Sequence, residues 1–194
     1  MKKIFKTAVS KSGAGTLDSA PFGWLAFGLT VLLLSLHNAG LYAMNSMVAG
    51  TALFLGGMGL VVAGIMESRK ASVFGMTAFL VYGFFWLSLV AVLVLPVNGW
   101  AKSTGHSAMA VYVLVWGLVT VGMFFASLKT ALPLQVFFGS LALMFLLLSM
   151  NDFTGKAVFQ YGAGYVGILS GISALYAGFA GLLNDIYGRK VLPV

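Results

Sequence analysis

Six stretches of this 194-residue chain contain no Asp, Glu, Lys or Arg: residues 22–43, 48–66, 72–95, 107–127, 133–150 and 161–183. A helix needs about 20 predominantly apolar residues to cross roughly 30 Å of hydrocarbon, and each stretch is of that order. Surface helices of water-soluble proteins keep a polar face, whereas these are apolar all round. Inside a bilayer every backbone N–H and C=O must find its partner within the protein, which selects helix over open strand or coil. The expected fold is therefore all-α: a membrane protein with six transmembrane helices per protomer.

Charge gives the expected orientation. Nine of the eleven basic residues fall on one side of this topology: Lys2, Lys3, Lys6 and Lys11 before the first span, Arg69 and Lys70 after the second, Lys129 after the fourth, Arg189 and Lys190 after the sixth. Only Lys102 and Lys156 fall on the other. Basic connections are retained in the cytoplasm, so both termini are expected there, with the protein as a multi-pass component of the cell membrane. The domain plan is a basic cytoplasmic tail over 1–17, a six-helix transmembrane domain over 18–186 and a cytoplasmic C-terminal tail over 187–194. The apolar run after the basic start exceeds the about 7 to 15 residues of a signal-peptide core, so it reads as a retained helix.

Composition removes several classes of function. A net charge of +7 is scattered over loop ends and forms no basic helix or patch, so the expected counter-charge is the lipid bilayer and not nucleic acid. With no cysteine, disulfides and thiolate chemistry are excluded. No paired carboxylates, metal-binding helix or phosphate-cradling loop is present, so no enzyme activity, cofactor or metal is expected. Glu67, Asp152 and Asp185 fall at span ends, and the reading therefore offers no buried carboxylate for proton coupling.

The prolines sit at span edges. Asp18 and Ser19 precede Pro21 and are placed to cap the first helix. Pro96 closes the third span, and Pro133 opens the fifth. Glycine is abundant at 25 residues. Gly167 and Gly171, extended backwards by Ala163, form a small-xxx-small row, and Gly56, Gly57, Gly59 and Gly64 crowd the second span. Small residues let helices approach closely in lipid, either within one protomer or between protomers; packing within the protomer is the preferred reading.

Inside the spans only neutral polar groups remain, among them Ser35, His37, Asn38, Tyr82, Ser88, Thr120, Ser140, Ser149, Ser170, Ser173 and Tyr176. Left unpaired they cost free energy, so they are expected to face the bundle interior or a wet cavity, and their character suits a small polar solute. His37 and Asn38 are adjacent, about 100° apart around the helix, and either pin neighbouring helices or line a pore. Tyr82 and Trp86, at i and i+4, read by default as an aromatic packing stripe.

The segment Asp18-Ser19-Ala20-Pro21-Phe22-Gly23-Trp24 resembles a degenerate copy of the Asn-Pro-Ala-Pro-Leu-Gly-Leu signature of the acetate uptake transporter family, which includes bacterial succinate–acetate permeases. Ala20, Pro21 and Gly23 keep it; Asp18, Ser19, Phe22 and Trp24 depart from it. The similarity continues through Leu36-His37-Asn38, Phe74-Gly75, Thr77-Ala78-Phe79, Tyr82-Gly83, Phe85-Trp86-Leu87 and Leu128-Lys129. It closes with Leu183-Asn184, Gly188-Arg189 and Val191-Leu192-Pro193.

This resemblance implies a homohexamer in which each protomer holds its own path for acetate and related short-chain carboxylates, with succinate as a candidate. It implies a hydrophobic constriction of Phe27, Tyr82 and Leu141, and a size-setting small residue at Ala174. His37, Asn38, Trp86, Ser170 and Ala174 are the expected pathway residues, with Asp18, Ala20, Pro21 and Gly23 as the signature segment. Anion channel and proton-coupled symport both remain open. The alternative is a channel for a small neutral solute such as urea, ammonia or a short amide.

Overall fold

The computed structural model describes residues 18–194, so the basic tail over 1–17, with Lys2, Lys3, Lys6 and Lys11, lies outside the described residues. Six helices follow in order: α1 Ala20–Asn38, α2 Ser46–Arg69, α3 Val73–Val97, α4 His106–Ser127, α5 Leu132–Thr154 and α6 Ala157–Tyr187. All six are long and apolar enough to span a bilayer. The protein is thus an all-helical, multi-pass membrane protein. Large apolar side chains such as Phe54, Phe84, Phe125 and Tyr165 project from the outside of the bundle.

Several boundaries differ from the sequence expectation, and three of them show why. The first helix stops at Asn38, because residues 39–45 turn back on it: Gly40 adopts a positive φ of 86°, and the Tyr42 hydroxyl donates to the Leu33 carbonyl at 2.6 Å. The second helix starts at Ser46, where the Asn45 side chain accepts from the N–H groups of Met47 and Val48. The sixth continues to Tyr187 and ends on Gly188 in the left-handed conformation (φ 61°). The residues beyond fold back on α6: Asn184 receives the N–H groups of Val191 and Leu192, and Tyr176 donates to the Pro193 carbonyl.

Each helix lies beside the next in sequence, and α6 returns to α1. The α1–α6 crossing is the most intimate and explains the glycines. A Cβ on Gly171 would sit 2.9 Å from backbone atoms of Leu32, one on Gly28 2.8 Å from the Leu175 nitrogen, and one on Gly178 3.0 Å from the Leu25 nitrogen. Gly64 serves α2 against Leu80 of α3 in the same way. Packing within the protomer therefore uses these rows. Where Gly56 and Gly57 admit Thr30, Trp86 and Leu87, α2 widens into a π-helical segment, Ala52–Gly59.

The α3–α4 side is the exception, since those backbones approach least closely of any consecutive pair. Long side chains close it instead. The Tyr82 hydroxyl donates to Thr120 Oγ1 at 2.7 Å, Ser88 and Tyr112 share a 2.6 Å hydrogen bond, and Phe85 packs edge-on to Trp116.

Candidate permeation pathway

The bundle axis is filled with aromatic rings. Phe27 of α1 lies with its ring centroid 4.9 Å from that of Tyr82 on α3 and 4.7 Å from that of Phe137 on α5. Leu141, one turn beyond Phe137, belongs to the same buried cluster, and none of Phe27, Tyr82 and Leu141 is more than 1% exposed. Phe27 and Tyr82 thus pack against each other in the bundle interior, and Leu141 is buried in the same core cluster. Towards the end that carries Asp18 and Tyr187, Trp24, Phe74, Phe79, Phe137 and Phe138 continue the aromatic column.

Towards the opposite end the helices part around a cavity of about 220 Å³. Its inner wall includes Phe85 and Met144, each three residues along its helix from Tyr82 and Leu141, so the cavity adjoins those two residues about one helical turn away. Leu34, Leu89, Phe145 and Leu148 make it largely apolar, while Asn38, Asn151, Asp152 and Gln160 supply polarity. Asn38 Nδ2 is buried without a hydrogen-bond partner. The arrangement is a vestibule: a largely apolar cavity with Asn38 in its wall, adjoining a buried, uncharged column of aromatic rings.

Most of the other neutral polar groups join helices. Ser170 donates to the Phe137 carbonyl at 3.0 Å, Ser149 to the Ala110 carbonyl at 3.0 Å, and Ser173 to the Pro133 carbonyl at 2.6 Å. Ala174 is fully buried on the same helix. Because the Tyr42 carbonyl can only accept, His37 Nδ1 carries the hydrogen of their 2.9 Å bond; His37 thus closes the first turn and is not among the vestibule-lining residues. Trp86 is buried beside Gly56, its Nε1 unpartnered. Asn151, Asp152 and Gln160 were not among the expected pathway residues; their sequence signal was polarity at the end of one span and the start of the next.

The other end of the bundle corrects two expectations. Ser19 is the N-cap residue by position, but its hydroxyl donates to Glu67 Oε1 at 2.7 Å, while Asp18 Oδ1 takes up the Ala20 N–H. Glu67, expected at a span end and not as a buried carboxylate, is 2% exposed, so a buried carboxylate does exist. Its sequence position at the last turn of α2 hid this, because burial there comes from α1 and α3. It lies against the first turn of α3, where Gly75 leaves room: a Cβ there would be 2.6 Å from Glu67 Oε2. The positive end of the α3 dipole and Lys70 Nζ at 3.0 Å compensate its charge. Lys70 also pairs with Asp18. Burial alone would lower the Lys70 pKa, but hydrogen bonds and charge from Asp18 and Glu67 outweigh it and hold the ammonium above the ordinary lysine range.

Residues 6–189 match the model of the GPR1/FUN34/yaaH family. The chain belongs to that family. It is 41% identical over 177 residues to the succinate-acetate/proton symporter SatP of Escherichia coli strain K12, covering 91% of this chain and 94% of that one. A protein of Saccharomyces cerevisiae named ammonia transport outward protein 2 is 34% identical over 172 residues, covering 85% of this chain and 61% of its own length. Among solved structures, the bacterial acetate channel SatP superposes with a TM-score of 0.90 at 39% identity, covering 93% of this chain and 99% of that chain. These three relatives carry transport or channel names, and Phe27, Tyr82, Leu141, the vestibule and the six-helix ring lie within the matched residues.

Proposed function

We propose that each protomer conducts acetate and related short-chain carboxylates, succinate among the candidates, through the vestibule and past a neck formed by Phe27, Tyr82 and Leu141. The observation that carries this is the adjacency of a solute-sized cavity, with Asn38 in its wall, to the buried and uncharged Phe27–Tyr82 ring pair. A neck of this kind excludes hydrated ions, since it offers nothing to replace their water. With no cation among the vestibule-lining residues, binding rests on amide donors and is weak, as suits rapid passage. The protein acts as a transporter in the cell membrane, not as an enzyme. The concentration of basic residues at one end supports cytoplasmic termini, and the family resemblance supports assembly as a homohexamer.

Uptake of labelled acetate into liposomes holding the purified protein tests this reading. Entry above that of empty vesicles is expected, and equal entry rejects it. A second reading, passage of ammonia or another small neutral solute, is favoured by the similarity to the yeast protein with an ammonia-transport name and by the uncharged neck. Competition separates the two. Excess unlabelled acetate should suppress labelled-acetate entry, and excess urea or ammonia should not.

A further inference from the structure

Among the described residues lining the vestibule, Asp152 is the only titratable side chain. It stands near the end of α5, its Oδ1 3.5 Å from the Asn151 amide nitrogen. Of the titratable groups on surrounding elements, His106 at the start of α4 acts on it electrostatically, while α1, α3 and α6 present amide or hydrocarbon to the vestibule. A carboxylate is an odd lining for the entrance of an anion path. A sphere of the vestibule's volume is about 7.5 Å across, so an anionic guest within it lies close to Asp152.

We infer that the vestibule admits a carboxylate together with one proton, which Asp152 and the guest share. Two ionised carboxylates at about 7.5 Å disfavour joint occupancy by about threefold at a water-like dielectric and about fortyfold at a protein-like one. A single proton on either group removes that repulsion, and a guest that moves up to Asp152 can then share it as a hydrogen bond. The proton comes from water at the mouth as the guest enters and returns to water as it leaves, and no covalent bond to carbon changes. Asn38, whose Nδ2 has no hydrogen-bond partner, lies in the same wall and would donate to the guest's oxygens after a small side-chain rotation. This assignment rests on the carboxylate-transport reading and adds to it a residue that couples entry to protons.

The test compares initial labelled-acetate entry into proteoliposomes of the wild type, Asp152→Asn and Asp152→Glu, corrected for empty vesicles, between about pH 5 and about pH 8. Protonation of acetate in bulk water cancels in the variant-to-wild-type ratio. For Asp152→Asn the ratio should be near one at the acid end and rise to about threefold to fortyfold at the alkaline end. Asp152→Glu should follow the wild type throughout. If Asp152→Asn fails to elute as a folded species, Asp152→Ser carries the same comparison. A ratio independent of pH overturns the assignment while leaving transport intact. So does a variant slower than wild type at about pH 8, which would mark the vestibule as a collector of cations such as ammonium. Wild-type entry no faster than in empty vesicles at every pH removes the transport reading, and this inference with it.

Discussion

Replacing Lys70 by Met probes how the bundle tolerates the carboxylate of Glu67. Removing one partner of a buried ion pair costs about 3 to 5 kcal/mol, because the other charge is left in a low dielectric. Here the loss is smaller. The Ser19 hydroxyl still donates to Glu67, the first turn of α3 still faces it, and the Lys70 side chain is 21% exposed. The expected destabilisation is about 2 to 3 kcal/mol, a fall of roughly 5 to 10 °C in Tm for a chain of this size. Glu67→Gln keeps an acceptor for Ser19 and removes the charge, so it should cost only about 1 kcal/mol. Combining the two should cost little more than Glu67→Gln alone, giving a coupling of about 2 kcal/mol in a double-mutant cycle. Thermal unfolding of the detergent-purified proteins, followed by tryptophan fluorescence, reads all four corners. A coupling below about 0.5 kcal/mol would refute the argument, because Lys70 would then not be compensating a buried charge.

The neck can be widened from two sides: Leu141→Ala or Ala174→Gly should raise the entry of bulkier acids such as lactate or succinate relative to acetate in competition assays, and an unchanged substrate profile in both would remove these residues from the constriction. Leu141→Ala should also lower stability by about 3 kcal/mol, as for other buried leucines. At the α1–α6 crossing, Gly171→Val forces a side chain against the Leu32 backbone and should cost about 3 kcal/mol or abolish the folded species, whereas Gly162→Ala, whose Cβ would meet only Leu147 at 3.7 Å, should be tolerated. The raised Lys70 pKa means that its stabilising contribution is fully present below the ordinary lysine value of 10.5 and disappears as pH rises through the higher folded value. The Tm difference between wild type and Lys70→Met should therefore hold from neutral pH to that value and shrink beyond it.

Six spans were legible without any structure because hydrocarbon leaves a chain so little choice: backbone groups must pair locally, and charge must stay at the ends. Residues 72–95 and 107–127 foreshadow Val73–Val97 and His106–Ser127 closely for that reason. The glycine rows announced close crossings but not their partners, since a missing side chain carries no record of what approaches it. The resemblance named Phe27, Tyr82 and Leu141, while residue pattern alone favoured ordinary core packing; only the folded chain brings rings from α1, α3 and α5 together.

Polar residues divide differently. Serines in the spans look alike in sequence, yet Ser149, Ser170 and Ser173 each found a carbonyl on another helix, while the Asn38 amide nitrogen remained free. Glu67 and Asp152 both read as span-end acids. One is buried among α1, α2 and α3 and the other faces a vestibule. Membership of the membrane, the span count and the expected orientation follow from composition along one dimension, because transfer into lipid acts on each segment by itself. Which polar group is spent on holding helices together and which is left for a guest depends on atoms many residues distant, and that was settled only when the six helices closed into a ring.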